Sequence, residues 1–364
     1  MNKHFVFLFL FIFCLSSRNA VGETTQGFPP ASLPSLISAI RIEGPVNFCN
    51  EQVPLDSVEA REKLEKELLL ILWNRPQVIL WLKRATRYFP HIERTLAQHD
   101  MPEDLKYIAV IESALLPHVG SSKGAVGYWQ FIKSTGRNYG LTIDRNSDER
   151  RNFFASTKAA VSYLNELHDL FGSWTLAAAA YNIGEARIQN EMTSQKVDDY
   201  YDFYLPLETQ RYIFKIIAAK LIFSNPSRYG FHLQADDYYP PVSFDRVKLT
   251  LPNRTPLYII AQAAGTHFKQ IKNLNPEIRG HDLPKGSHIV AVPKGTGKKF
   301  HSRFVRLAEK WNKEYKMHIY IVKKGDNLSI IAEQFHVALP ALLAWNDLSP
   351  KSYIHPGEKL VIYQ

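Results

Sequence analysis

A single carboxylate occupies a position where an apolar residue is expected. Leu105, Ile108, Ala109, Glu112 and Leu116 recur at helical spacing, so they share one face of a predicted helix. Burial on such a face disfavours the charged form of a carboxyl group and raises its pKa above the reference of about 4.3. A carboxylic acid that keeps its proton near neutral pH can serve as a general acid. The alternative explanation for this pattern is a glutamate that pairs with a buried arginine.

Motifs rich in glycine and aromatic residues accompany this carboxylate. They are Glu112-Ser113, Ser121-x-x-Gly124-Ala125-x-Gly127-Tyr128-Trp129-Gln130-Phe131, Tyr139-Gly140-Leu141 and Ala178-Ala179-Ala180-Tyr181-Asn182-x-Gly184-Glu185. Together they resemble the soluble lytic transglycosylase domain family. Three further motifs resemble the membrane-bound members of that family: Arg84-x-x-Arg87-Tyr88, Asp148-Glu149-Arg150-Arg151-Asn152 and Glu208-Thr209-x-x-Tyr212. The resemblance covers about residues 50–225.

The resemblance implies a lysozyme-like α-helical fold with a groove for a glycan strand, in which Glu112 is the single catalytic carboxylate. Ordinary glycosidases use two carboxyl groups. A lytic transglycosylase needs only one, because the attacking hydroxyl belongs to the substrate and is already in place. The implied reaction cleaves the β-1,4 bond between N-acetylmuramic acid and N-acetylglucosamine in peptidoglycan. It leaves a 1,6-anhydromuramoyl end.

The resemblance also implies substrate contacts for a small set of residues around the acid. Ser113 and Gln130 match positions at the cleavage site, although each could instead brace the local backbone. Tyr181, Asn182 and Tyr212 match groove positions near the catalytic acid. We therefore predict that these side chains come together around Glu112 in the folded protein.

Two other acidic residues are candidates for a second catalytic carboxylate. Asp148 and Glu149 stand beside Arg150 and Arg151, so we interpret them as members of a structural ion-pair cluster. Trp129 has two possible roles, because an indole ring can stack on a sugar face or fill the core.

Helical periodicity runs from Asp56 to about Phe223 and must position these residues. Pro102 is followed by two carboxylates, which indicates the start of a helix. Further helices are predicted over 156–171, 174–181 and 208–224. No alternation with a period of two occurs in this region. We therefore predict an all-α catalytic domain over 51–235, with its motif core at 100–225.

The sequence after residue 242 contains an internal repeat with a constant shift of 71 residues. The matching pairs are Leu257 and Leu328, Ile259 and Ile330, Ile260 and Ile331, Ala261 and Ala332, Asn275 and Asn346, Gly286 and Gly357, and Val290 and Val361. A register without gaps through these positions indicates two related modules. We predict two small α+β modules with the order strand, helix, helix, strand (βααβ) over 243–293 and 319–364. The linker between them, 294–318, carries a charged surface helix.

The second module resembles the LysM family of glycan-binding modules. The matching residues are Tyr320-x-Val322-x-x-Gly325-Asp326-x-Leu328-x-x-Ile331-Ala332, Asn346 and Ile354-x-Pro356-Gly357-x-x-Leu360. The resemblance implies a shallow groove for chains that contain N-acetylglucosamine, lined by Gly325, Asp326, Asn327, Leu328, Ile354 and Pro356. The first module has Arg254, Thr255 and Pro256 at the places of the first three of these residues. We therefore expect the first module to be degenerate, with a LysM-like fold and an altered binding loop.

The N-terminal residues have the composition of an export signal. An uncharged apolar stretch is followed by the small-x-small site Ala20-Val21-Gly22, which predicts a signal peptide over 1–22. We expect an irregular arm over 23–50, because Pro, Ser and Gly are frequent there. Phe13 precedes Cys14 where lipidation would need a small residue, so we expect no lipid anchor.

Charge and cysteine content restrict the partners. The formal net charge of +9 has two interpretations, a solvated basic surface or attraction to an anionic polymer. In the second case export favours a cell-wall polymer over nucleic acid. With the signal removed, Cys49 is the remaining cysteine, and we interpret it as a small buried apolar residue. The 13 histidines lack metal-ligand spacing, so we expect no metal and no cofactor. We also expect no transmembrane span, and a monomer in the periplasm or cell envelope.

The leading interpretation is an exported lytic transglycosylase that its LysM module directs to peptidoglycan. One alternative is a goose-type lysozyme-like hydrolase of peptidoglycan or chitin, in which water is the nucleophile. A second alternative is a non-catalytic peptidoglycan-binding protein. The products distinguish the three, because they would carry anhydro ends, carry reducing ends, or not be formed at all.

Overall fold

The computed structural model describes residues 33–314, 317–346 and 348–363. The predicted signal peptide over 1–22 and Cys14 lie outside these residues. The described chain has three hydrophobic cores: one in a large helical unit between Ala39 and Phe231, and one in each of two small modules that follow.

The helical unit is the predicted all-α domain. Its α-helices in the described chain are α1 (Leu36–Ile40), α2 (Val58–Trp73), α3 (Arg75–Ala97), α4 (Lys106–Ser113), α5 (Lys133–Asn138), α6 (Phe153–Phe171), α7 (Trp174–Ile183), α8 (Glu185–Gln195) and α9 (Leu207–Ser224). A hairpin of β1 (Asn47–Phe48) and β2 (Glu51–Gln52) precedes α2. The three helices predicted after residue 155 correspond to α6, α7 and α9. Helix α8 was missed because it is largely polar and buries only Ile188.

Helix α7 lies at the centre of this unit and packs against α6, α8 and α9. Residues 177–180 are alanines that are fully buried, and their small side chains allow the neighbouring helices to approach closely. Glu51 reaches from β2 to the N-terminus of α7, where its carboxylate accepts hydrogen bonds from Ser173 Oγ (2.9 Å) and Thr175 N (3.0 Å). A carboxylate is favourable at this positive end of the helix dipole.

Helix α4 begins as the sequence indicates but ends earlier than the apolar stripe implied. Pro102 precedes the turn that leads into α4, as predicted. The helix ends at Ser113, because Ala114 (φ 54°) and Leu115 (φ 59°) adopt the left-handed conformation. Leu116 therefore lies outside the helix and is exposed, so its predicted place on the buried face is wrong.

The arm predicted to be irregular over 23–50 is structured where it is described. Ser35 caps α1 with its side chain, and β1 follows. Val46 and Phe48 are buried in the core of the helical unit, so these two apolar residues anchor the arm. The hairpin of β1 and β2 also crosses the predicted boundary at residue 51. Cys49 is buried at the same hairpin, as expected of a small apolar residue.

The two modules have the predicted βααβ order. The first contains β3 (Phe244–Leu251), β4 (Thr255–Pro256), α10 (Leu257–Ala263), α11 (Phe268–Leu274), β5 (Asp282–Leu283) and β6 (Gly286–Pro293). The second contains β7 (Met317–Ile321), α13 (Leu328–Gln334), α14 (Leu339–Asn346) and β8 (Lys359–Tyr363). Strand β3 pairs antiparallel with β6, and β7 pairs antiparallel with β8. The predicted fold class, an all-α domain followed by two α+β modules, is confirmed.

An asparagine has the same role in both modules and reveals a shift between them. Asn275 donates to Ala291 O (2.8 Å) and accepts from Ala291 N (2.7 Å). Asn346 makes the same two bonds with Val361, at 2.8 Å and 2.5 Å. Val361 therefore corresponds to Ala291 and not to Val290, so the constant shift of 71 is wrong in the last strand. The sequence could not reveal this, because the first module is apolar and buried at three successive positions there.

The segment predicted as a linker with a surface helix is packed against the first module. Helix α12 (Gly297–Glu314) presents Phe300, Phe304 and Trp311 to that module's core. Most of its charged residues between Lys298 and Lys313 are exposed. Tyr363 of the second module belongs to the same core. In the described part of the chain, no helix is long and apolar enough to cross a membrane.

Candidate active site

A cleft of about 920 Å³ opens beside the C-terminal end of α4. Its walls are formed by loop 121–132, the end of α7 and the start of α9. Glu112 lines this cleft together with Gln130, Tyr181 and Asn182. Four of the predicted site residues thus line the same cleft, although they come from three separate parts of the chain.

Glu112 lies in the last turn of α4 and is half-buried. Burial raises its pKa to about 7, and the negative charge of Glu208 acts in the same direction. The hydroxyl of Tyr212 donates to Glu112 Oε1 at 2.6 Å, which favours the carboxylate and opposes part of this shift. The hydrogen-bond partner is thus a tyrosine and not the buried arginine of the alternative explanation. A carboxyl group with this pKa exists in both protonation states near neutral pH.

Tyr212 is buried on α9 and faces Glu112. Burial, together with the charge of Glu112, raises the pKa of its phenol well above the usual value, so it remains a hydrogen-bond donor. Tyr212 contacts the acid directly and is not among the residues that line the cleft.

Tyr181 lines the cleft and forms a hydrogen bond with loop 121–132. Its hydroxyl donates to Trp129 O at 2.6 Å, and burial raises the pKa of its phenol well above the usual value. Trp129 itself is fully buried, and its indole N–H donates to Thr157 Oγ1 at 3.0 Å. Of the two roles considered for Trp129, the structure supports the core role.

Ser113 and Gln130 both make the backbone contacts that were considered as an alternative to substrate binding. Ser113 is buried, and its hydroxyl donates to Tyr128 O at 2.7 Å. Gln130 adopts a left-handed conformation (φ 49°), and its amide donates to Val119 O (3.0 Å) and Gly127 O (2.8 Å). Gln130 also lines the cleft, whereas Ser113 does not. Their contacts with substrate remain predictions.

Asn182 lies at the end of α7, where its side-chain carbonyl accepts a hydrogen bond from Thr209 Oγ1 at 3.0 Å. This bond ties the end of α7 to the start of α9 across the cleft wall. Asn182 and Thr209 both line the cleft.

The ion-pair interpretation of Asp148 is confirmed. Its two carboxylate oxygens accept from Arg150 Nε and Nη2, both at 2.8 Å, and the group is buried away from the cleft. The Arg150 guanidinium lowers the pKa of Asp148 despite its burial. Glu149 instead accepts a hydrogen bond from Thr142 N at 2.7 Å.

Two carboxylates that sequence reasoning did not single out also line the cleft. Glu185 is exposed and accepts a hydrogen bond from Tyr163 at 2.9 Å. Glu208 is exposed and lies 3.3 Å from Lys123 on the opposite loop. Both stand inside quoted motifs, so the motif positions were visible, but only the packing of α7, α8 and α9 brings them into the cleft.

The residues predicted to line a glycan groove in the second module lie at the start of α13 and in the segment before β8. Gly325 has φ 94°, which an L side chain would not adopt without strain. Asp326 accepts from Lys323 N (2.7 Å) and Tyr320 (2.8 Å), and these bonds lower its pKa. Asn327 caps α13. The structure places the other predicted groove residues as follows: Leu328 is buried, Ile354 is half-buried against the module core, and Pro356 is exposed. Tyr353 beside them is 88% exposed and was not predicted.

In the first module a short strand pair joins the two segments at the corresponding position. Strand β4 pairs with β5, so the first strand-to-helix loop is joined to the loop before the last strand. Leu257 N donates to His281 O at 2.8 Å, and Arg254 forms an ion pair of 2.5 Å with Asp282. The described residues of the second module have no such short strand pair. The altered loop therefore closes the groove position in the first module.

Metal binding has no candidate site in the part of the chain that the structure describes: no group of three or more His, Cys, Asp or Glu side chains there could hold an ion.

Comparison with models of protein families identifies the domains of this chain. Residues 89–203 match the Transglycosylase SLT domain, and residues 257–291 and 320–362 match the LysM domain. The chain therefore combines a transglycosylase SLT domain with two LysM domains, and the resemblance found in the sequence is confirmed.

One curated protein is similar to this chain over most of its length. The chain is 34% identical over 295 residues to membrane-bound lytic murein transglycosylase D of Escherichia coli (strain K12), which covers 77% of this chain. The chain spans 64% of the length of that relative.

Solved structures are more distant. The 70 kDa soluble lytic transglycosylase of Escherichia coli aligns with a TM-score of 0.34 and 18% identity, over 54% of this chain and 34% of that one. The lytic transglycosylase Slt of Pseudomonas aeruginosa aligns with a TM-score of 0.30 and 20% identity, over 44% and 25%. The sequence matches carry the assignment.

Proposed function

We propose that this protein is a lytic transglycosylase of peptidoglycan in which Glu112 acts first as an acid and then as a base. The observation that carries the proposal is the raised pKa of Glu112, about 7, at the wall of an open cleft. A carboxyl group with that pKa can give and take a proton at neutral pH. The match of residues 89–203 to the SLT domain and the 34% identity to a lytic murein transglycosylase support the same reaction.

The proposed reaction needs one carboxyl group and no water. Protonated Glu112 gives its proton to the oxygen that links N-acetylmuramic acid to N-acetylglucosamine, and the bond from that oxygen to the muramoyl C1 breaks. The Glu112 carboxylate then takes the proton of the muramoyl C6 hydroxyl, whose oxygen bonds to C1. The second step restores protonated Glu112 and closes the 1,6-anhydro ring. Tyr212 holds one carboxylate oxygen, which leaves the other for proton transfer.

The predicted site residues divide into two groups in this proposal. Gln130, Tyr181 and Asn182 line the cleft and would contact the glycan. Ser113 would shape the wall through its bond to Tyr128 O, and Tyr212 would act through the catalytic acid.

Analysis of the products tests this function. Purified sacculi are digested with the full chain, and the released fragments are analysed by mass spectrometry. We expect 1,6-anhydromuramoyl ends, which are one water lighter than reducing ends. Glu112→Gln serves as the matched inactive control. Fragments that carry only reducing ends would rule out the transglycosylase reaction.

The hydrolase alternative is favoured by one observation. Glu185 and Glu208 line the same cleft as Glu112, and a second carboxylate is what a hydrolase needs to activate water. Both are exposed, and each is already bonded to a neighbouring side chain. Reducing ends that disappear in Glu185→Gln or Glu208→Gln would establish this alternative.

The second LysM domain would hold the enzyme on the cell wall. Gly325, Asp326, Asn327, Leu328, Ile354 and Pro356 are proposed to bind the glycan there. Deletion of residues 319–364 should weaken binding to sacculi more than it slows cleavage of short soluble fragments. Equal losses in both assays would contradict a targeting role.

We propose that the protein is exported and acts as a monomer in the periplasm or cell envelope, without a lipid anchor. The apolar N-terminal stretch supports export, and Phe13 before Cys14 argues against lipidation. Cell fractionation with a lipid-labelling assay tests both points, and incorporation of labelled fatty acid would overturn the second.

A further inference from the structure

The first LysM domain meets the helical unit through paired main-chain segments. In this contact Asp148 N donates to Glu277 O (2.8 Å), and Arg279 N donates to Asn146 O (2.9 Å). An antiparallel bridge lies between these two bonds. Main-chain hydrogen bonds fix the direction and register of a segment, so this contact joins the module to the unit in one arrangement. We call residues 277–279 the docking segment and residues 142–152 the support loop.

Side chains of the docking segment strengthen this contact. Glu277 Oε1 accepts from Asn152 Nδ2 at 3.0 Å, and Arg279 Nη1 donates to Asp144 O at 3.1 Å. The same Asn152 side chain caps α6 with its carbonyl oxygen. One amide group therefore ties the module to the first turn of a core helix.

Glu277 has an environment that costs stability. Its Oε2 atom is shielded from solvent and has no hydrogen-bond partner among the described residues. Burial raises the pKa of this carboxyl group. A buried polar atom without a partner is uncommon in folded proteins, and it calls for a role that offsets the cost.

The support loop holds the loop that forms the cleft wall. Arg150 Nη1 donates to Gly124 O (2.9 Å) and Phe131 O (3.1 Å), which lie near the two ends of loop 121–132. Asp148 fixes the Arg150 guanidinium with two bonds of 2.8 Å. A Cβ atom on Gly127 would lie 1.9 Å from Arg150 O, so the two loops touch directly. The cleft loop cannot move away without disturbing the support loop.

The module that makes this contact has a closed groove position. Pairing of β4 with β5 and the ion pair of Arg254 with Asp282 occupy the place where the second module has an open loop. The first module therefore differs from the second at the predicted groove position, while it keeps its core and its contact with the helical unit.

We propose that the first LysM domain acts as an internal brace that positions the cleft loop, with Glu277 and Arg279 as positioning residues. The connection runs from the docking segment through the support loop and Arg150 to Gln130 on the cleft wall. The proposal rests on the proposed function only where catalysis is measured.

Hydrogen–deuterium exchange in the full-length chain tests the connection without relying on activity. Glu277→Ala and Arg279→Ala each remove a side-chain bond to the helical unit. We expect amide exchange to become about two- to tenfold faster in residues 142–152 and also in 121–132, as the loss of one hydrogen bond implies. The matched control is Lys269→Ala, at an exposed position on α11 of the same module.

Glu277→Gln separates positioning from a general loss of stability. Glutamine keeps an oxygen that can accept from Asn152, so exchange in 121–132 should return to the wild-type rate. Faster exchange that is confined to residues 142–152 in both alanine variants, with no change in residues 121–132, would overturn the brace. The same change in Lys269→Ala would overturn it as well.

Kinetics on soluble glycan fragments give the second readout. Both alanine variants should lower kcat about two- to tenfold, with a smaller change in KM, because the cleft loop is misplaced while the rest of the cleft remains. Unchanged kcat in both variants would contradict a positioning role. A wild-type chain that releases no fragments would contradict the proposed function instead, and the exchange data would still decide whether the brace exists.

Discussion

Glu112 and Glu277 are two carboxyl groups whose pKa is raised by burial, in two regions of the same molecule. Glu112 lines an open cleft and accepts a hydrogen bond from Tyr212. Glu277 lies at the junction of the first LysM domain and the helical unit and accepts from Asn152. A raised pKa therefore reports burial in both places. Only the cleft gives a substrate access to the proton, and this access makes Glu112, and not Glu277, the candidate for a catalytic acid.

The two residues also differ in how visible they are in the sequence. Glu112 interrupts a helical apolar stripe and begins a family motif. Glu277 interrupts no pattern, and its partner Asn152 is 125 residues away. Family motifs thus reveal a candidate catalytic acid more readily than a buried carboxyl group at a contact between domains.

Replacing each glutamate by glutamine should give the largest difference between them. Glu112→Gln should lower the rate of fragment release by about 10³-fold, because it removes the transferable proton. Binding to sacculi should persist, since the LysM domains are untouched. Glu277→Gln should leave the rate within about twofold of wild type, because the hydrogen bond to Asn152 is kept. Fragment release from sacculi measures both, and an active Glu112→Gln protein would show that another group is the acid.

Removing the hydroxyl of Tyr212, which donates a hydrogen bond to Glu112, tests the difference between Glu112 and Glu277 in a second way. Tyr212→Phe removes a donor that favours the carboxylate, so the pKa of Glu112 should rise further. The protonated form of Glu112 then persists to higher pH, so the alkaline limb of the pH profile of kcat should shift to higher pH. The rate at the optimum should fall about tenfold, as expected for a lost bond to a charged group. An alkaline limb that stays in place or moves to lower pH would contradict this role of Tyr212.

The smallest expected effect is on the free energy of unfolding, which glutamine at position 112 or at position 277 should change in the same direction. An acid whose pKa is raised in the folded state stabilises the fold when protonated, and that contribution is lost as pH rises above the unfolded pKa. For Glu112 the loss should extend from about pH 4.5 through about pH 7. Glu112→Gln should therefore be more stable than wild type at pH 8 by about 1–2 kcal/mol. Glu277→Gln should gain less.

Urea unfolding of the full-length chain at pH 5 and pH 8 measures this effect. The variants should differ from wild type mainly at pH 8, where the native carboxyl groups must be charged. A Glu112→Gln protein that is less stable than wild type at pH 8 would show that the carboxylate is stabilised in the fold and not destabilised by burial.

Local signals in the sequence predicted much of the fold. The period of the apolar residues identified α6, α7 and α9, and the internal repeat identified both βααβ modules. Errors arose where local signals were weak or ambiguous. Leu116 continued the helical period after the backbone had left the helix at Ala114. Val290 was aligned one residue away from its structural equivalent, because the neighbouring positions of that strand are also apolar.

The candidate site was predictable in its members but not in their contacts. The motifs named Glu112, Gln130, Tyr181 and Asn182, which meet at the cleft, and Tyr212 behind it. They did not show that the side-chain amide of Gln130 would donate hydrogen bonds to two backbone carbonyls. Nor did they show that Glu185 and Glu208 face the same space. Such details depend on rotamers and on distances between elements, which no spacing along the chain specifies.

By itself, the sequence determined the candidate acid at position 112, the all-α domain and the pair of LysM domains, because each is encoded in residues that are close along the chain. The tertiary structure decided that Tyr212 holds the acid, that β4 and β5 close the groove position of the first module, and that Glu277 docks this module on the support loop. The physical reason is distance along the chain. Tyr212 is 100 residues from Glu112, and only the packing of α9 beside α4 brings the two oxygen atoms to 2.6 Å.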